Sequence, residues 1–99
     1  MKKRFIVGVN NPTAQETAAI TEMFKAAGNG WWHYIDGLWF TVDHHGTQNA
    51  DQIRDAINRI TVDKWVIVQE IAEGGFWSGF GPNAPNNSMF SWLWEQWKR

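Results

Sequence analysis

Asp43-His44-His45, with His33 ten residues upstream of Asp43, is the only group in the sequence whose residue types suggest metal binding or acid–base chemistry. Adjacent histidines on a strand point to opposite faces, so His44 and His45 do not converge on one ion, whereas Asp43 and His45 share a side. A zinc or hydrolytic centre needs at least three convergent ligands. The expected role is therefore that of loop or sheet-end histidines, with His33 a satisfied histidine in an apolar pattern. Glu70, Glu73 and Asp63 could pair for proton transfer, but they read as solvated carboxylates at strand ends. The glycines at 74, 75, 79 and 81 lack the Gly-Lys-Ser/Thr of a phosphate loop. These residues lead us to expect no enzyme, no metal and no cofactor.

Tryptophan is the compositional outlier, with eight among 99 residues. Each indole can bury a large area in a small core, and aromatic side chains are also preferred anchors of binding surfaces. Cysteine is absent, which rules out disulfides and thiolate sites and favours a reducing, cytoplasmic setting. The net charge of −1 argues against a phosphate-tracking nucleic-acid binder. Basic residues cluster only at the two ends, residues 2–4 and 98–99, where solvated termini are the plainer explanation. No segment has the length and apolarity of a membrane span or a signal peptide.

The elements that must position these residues follow from periodicity. Residues 4–10 form an apolar run of the kind a central strand shows, ended by Asn11-Pro12. Thr13 and Glu16 make a capping box for a helix with an apolar stripe of Ile20, Met23, Phe24 and Ala27. Residues 31–35 and 38–42 around Asp36-Gly37 read as a hairpin with a type I′ turn. Asn49 and Gln52 open a second helix with Ile53, Ala56, Ile57 and Ile60 facing inward. Residues 65–71 are a last β-branched strand. The segment from 74 onward is rich in Gly, Pro and Asn, then dense in aromatics, and should end in a helix that gathers Phe90, Leu93, Trp94 and Trp97 on one face.

The order βαββαβ predicts a single α+β domain of ferredoxin-like type: an antiparallel sheet of order 4-1-3-2 with both helices on one face. Residues 1–73 would be the core, and 74–99 a segment packed on that core or on a partner. A two-residue turn would set Ile35 opposite Leu38, Tyr34 opposite Trp39 and His33 opposite Phe40. Trp31, His33, Ile35, Leu38, Phe40 and Val42 would then share one face, and Trp32, Tyr34, Trp39 and Thr41 the other. The helices can cover only one of these. An aromatic patch does not stay bare in water, so the tail, a second copy or a partner should cover the rest. The candidate binding residues are Trp32, Tyr34, Trp39, Phe76, Trp77, Trp92, Trp94 and Trp97. The Trp32, Tyr34 and Trp39 set could also stack bases, but it lacks a basic surround.

Residues 4–10, Gly37-Leu38-Trp39-Phe40-Thr41-Val42, Ala50-Asp51-Gln52-Ile53-Arg54-Asp55-Ala56-Ile57 and Trp65-Val66-Ile67-Val68-Gln69-Glu70-Ile71 occur in an order that resembles the CRISPR-associated spacer-acquisition subunit family and its stand-alone relatives. The resemblance covers roughly residues 4–71 and implies the ferredoxin-like fold. Nuclease members of that family carry a metal-binding aspartate at the end of the first strand. Here that position reads Val9-Asn10-Asn11, and a neutral amide is a weaker ligand for Mg²⁺.

A non-enzymatic protein–protein interaction module, binding a protein partner or a second copy of itself, is the expected function. By fold-level analogy it would serve as a phage or mobile-element accessory protein that inhibits a host defence complex. The alternatives are a divergent metal-dependent nuclease and a binder of nucleotides or single-stranded nucleic acid.

Overall fold

The computed structural model describes residues 2–72, 77–79, 81–85 and 87–97. Strand β1 (Lys3–Val9) leads into helix α1 (Ala14–Ala26). Strands β2 (Gly30–Ile35) and β3 (Leu38–Asp43) form the hairpin, followed by α2 (Ala50–Ile60) and β4 (Val66–Ile71). Both capping boxes form as the sequence predicts. Thr13 accepts from Glu16 N–H at 3.1 Å while Glu16 takes the Thr13 N–H at 2.8 Å. Asn49 and Gln52 exchange the same two bonds at 2.9 Å each.

The four strands make one antiparallel sheet of order β2-β3-β1-β4, which is the expected 4-1-3-2 order seen from its other edge. β1 is central, as its apolar run suggests. Phe5, Val7 and Val9 face one side, where Ile20 and Phe24 of α1 and Ile53 and Ile57 of α2 pack against them. Both helices thus cover the same face.

The hairpin departs from the expected register. Ile35 pairs with Leu38, but Trp32 pairs with Phe40 and Trp31 with Thr41, so His33 and Tyr34 together oppose Trp39. This is a bulge with one extra residue in β2. The turn explains why it is needed. Type I′ requires positive φ at both central residues, and here only Gly37 has it, at 73°. The Gly37 carbonyl accepts the Val9 N–H at 2.7 Å, which docks the turn against the end of β1. An unprimed turn splays the strands it joins, and the extra residue restores pairing beyond it.

The slip exchanges the faces of β3 relative to β2. Trp31 and Trp39 lie with the helices, while Trp32, Leu38, Phe40 and Val42 lie on the opposite face. The grouping of Trp32, Tyr34 and Trp39 expected from the sequence is therefore corrected: Trp39 is fully buried under the helices. His33 stacks on it at 4.2 Å, and Tyr34 tilts against Trp32 at 5.5 Å.

The C-terminal segment lies across the second face. A short hairpin, β5 (Asn83–Ala84) with β6 (Asn87–Ser88), precedes one turn of π-helix at Leu93–Trp97. Met89, Leu93 and Trp97 are buried there against Trp32 and Val42, with Phe40, Ile6 and Ile71 at the margins. The wider π turn changes which side chains face inward: Leu93 and Trp97 are buried, whereas Trp94 is 54% exposed and off the face expected for it. The sheet therefore has an apolar layer on each side, which accounts for most of the tryptophan.

Candidate functional site

Main-chain acceptors hold the aromatic face closed. Trp32 Nε1–H donates to the Met89 carbonyl at 2.5 Å and Tyr34 Oη–H to the Ser88 carbonyl at 3.0 Å. Lys2 Nζ donates to the Gln96 carbonyl at 2.9 Å, and buried Arg4 donates through Nε to the Trp97 carbonyl. Trp32 also stacks on Phe40 at 4.5 Å, and Phe40 on Trp97 at 4.9 Å. Of the candidate residues, Trp32, Trp39 and Trp97 are thus enclosed by the chain itself. Trp77 and Trp92 are half-buried: Trp77 stacks on Phe90 at 5.7 Å, and Trp92 lies beside Trp97. Tyr34 and Trp94 keep substantial exposure. Phe76 lies outside the described residues.

The Asp43 region is built for structure. The Asp43 carboxylate is buried and accepts from the backbone N–H of His45 at 3.1 Å and of Gln48 at 2.8 Å. Burial by itself would raise its pKa. The amides of Gln48, Gly46, His45 and Thr47 outweigh that and hold it below the usual carboxylate value. His44 and His45 are exposed, and no group of three or more potential metal-ligating side chains gathers among the described residues. His44 does border an open cleft of about 480 Å³, lined also by Asn29, Trp31, Trp92 and Gln96. Asn10 Oδ1 accepts the Trp65 N–H, and the Asn10 N–H donates to the Trp65 carbonyl at 3.2 Å, so Asn10 extends the β1–β4 ladder by one rung.

The sequence reading missed the most exposed apolar surface. Residues 65–71 looked like a core strand, yet β4 is at the sheet edge and, among the described residues, pairs only with β1. Trp65 is 82% exposed, Ile67 68% and Val62 71%. Gly8 has no side chain to fill the space beside them. A Cβ there would lie 3.3 Å from Ile67 Cγ2, and a hollow of about 250 Å³ opens between Gly8, Asn10, Trp65, Val66 and Ile67. The described part of the tail packs near Ile71 and not at this end of the strand. The signal was present in the predicted strand order, because an apolar run in an edge strand has one side without a partner.

The two sheet edges differ. β2 is interrupted by its bulge, and Tyr34 ties it to the tail. β4 runs in unbroken register from Arg4↔Ile71 to Val9↔Val66, with no proline. Bulges, prolines and covering segments are the usual protection of an edge, and β4 lacks all three among the described residues.

No protein-family model, curated protein or solved structure matches this chain.

Proposed function

We propose that this chain is a non-enzymatic protein-interaction module, built on a ferredoxin-like βαββαβ scaffold, that takes an extended segment of a partner along the outer edge of β4. The observation that carries this reading is the exposed, unbulged β4 edge with Trp65 and Ile67 bare along it. Strand addition draws affinity from main-chain hydrogen bonds and selectivity from alternate side chains. The Gly8 hollow between Trp65 and Ile67 suits an apolar side chain from the added strand. Of the aromatic residues first expected to bind, Trp32 is covered by the tail and Trp39 by the helices, and both hold the sheet to its two apolar layers.

The experiment is comparative capture from a host lysate with the wild-type chain and with Val68→Pro. The Trp65 carbonyl accepts from Asn10, so by strand alternation the main-chain groups of Val66, Val68 and Glu70 point away from β1. Proline at 68 therefore removes an outward donor and breaks no bond of the β1–β4 ladder. Capture of a protein, whether foreign or a tagged second copy, that the proline variant loses is the expected result. If every captured protein is held equally by both forms, or none is captured, the reading fails.

A further inference from the structure

We infer that the strand added to β4 is the β4 of a second copy, paired antiparallel about a two-fold axis at Ile67. This inference rests on the edge-strand reading above and names its partner. Two-fold pairing of a strand with itself has few allowed registers, because outward-facing residues must meet outward-facing residues. With Ile67 on the axis, Ile67 meets its own copy and Val66 meets Val68. Trp65 then stands opposite Gln69, and Lys64 opposite Glu70. Moving the axis to Val66 or Val68 keeps the alternation but sets Glu70 against Val62 or against Val66, and leaves Lys64 facing an apolar residue.

Charge complementarity selects the Ile67 register. Lys64 flanks one end of the strand and Glu70 lies near the other, so the antiparallel arrangement creates the same ion pair twice. Glu70 is exposed and has no ion pair among the described residues, where Arg54 with Asp51 and Asp55 accounts for the salt bridges found. Lys64 Nζ donates once, to the Asn11 carbonyl at 2.8 Å, and an ammonium group has two further donors. The same register brings Trp65 and Ile67 of both copies together on one side of the joined sheet. That covers the apolar surface which, among the described residues, neither the helices nor the tail cover. The two four-stranded sheets become one of eight.

The test is sedimentation equilibrium of the purified full chain across a wide concentration range, with the near-ultraviolet spectrum as the check on folding. The wild type should associate as a dimer. Lys64→Glu and Glu70→Lys each place like charges at both symmetric positions and should weaken association by roughly tenfold or more. The double variant, with the charges exchanged, should recover wild-type association. Val68→Pro should be monomeric, with the near-ultraviolet spectrum of the wild type diluted until it dissociates. A dimer that ignores either the charge reversals or the proline overturns the inference. A wild-type chain that stays monomeric also overturns it. In that case, proline-sensitive capture of foreign proteins would leave the edge-strand reading standing, and its absence would remove both.

Discussion

The indole N–H of Trp32 donates to the carbonyl of Met89, 2.5 Å away and 57 residues further along the chain. Trp32 is also stacked on Phe40, so one side chain joins the sheet to the tail by a polar bond and by apolar contact. Trp32→Phe keeps an aromatic ring but strands the Met89 carbonyl. It should cost about 1–2 kcal/mol, whereas Trp32→Ala should cost about 3–5 kcal/mol. Chemical denaturation of the two variants measures the difference.

Removing the tail should expose what it covers. A chain ending at Ala72 bares Trp32, Phe40, Ile6 and Val42 together. Such a patch drives association, so light scattering should report aggregates. A well-dispersed truncated chain with a cooperative thermal transition would show that the second layer is dispensable.

Asp43 should set part of the acid limit. Its folded pKa is depressed by the surrounding amides. The stability it contributes is thus complete above the ordinary aspartate value near ~3.9 and is lost as the pH falls through the lower folded value. Asp43→Asn keeps one acceptor oxygen and removes the charge. It should destabilise the chain by about 1–3 kcal/mol at neutral pH, with a shallower decline on acidification. Denaturation midpoints between pH 7 and pH 2 test this.

Gly37 should tolerate no side chain. Its φ of 73° disfavours L-residues, and a Cβ would overlap the Val9 carbonyl oxygen. The backbone conformation alone costs about 1–2 kcal/mol for alanine, and the overlap adds to it. Gly28, at φ 77° with open space around it, isolates the conformational part. Gly37→Ala should therefore lower the melting temperature more than Gly28→Ala.

Much of the scaffold is legible in the sequence because local signals agree there with the tertiary result. Thr13 with Glu16, Asn49 with Gln52, and the apolar run of β1 each specify one local structure. The hairpin was misread because Asp36-Gly37 suits more than one turn, and the docking of Gly37 on Val9 selects among them from outside the local sequence. One inserted residue then reversed the faces of β3, carrying Trp39 under the helices. Placement of the tail depended on bonds to backbone carbonyls, which leave no mark in residue type. The exposed end of β4 was hidden for the opposite reason: Trp65, Val66 and Ile67 have the composition of a core strand, yet at the sheet edge Val66 packs on the core while Trp65 and Ile67 are left bare.

Among the described residues, the hydrogen bonds from Lys2, Arg4, Trp32 and Tyr34 to the tail end on main-chain oxygens, at Gln96, Trp97, Met89 and Ser88. Such oxygens are present whatever the side chain, so the fastening depends on spacing rather than spelling. Exposed positions between these anchor points are free to drift in sequence, while inserting or deleting a single residue between 89 and 96 would pull two of the oxygens away from their donors at once.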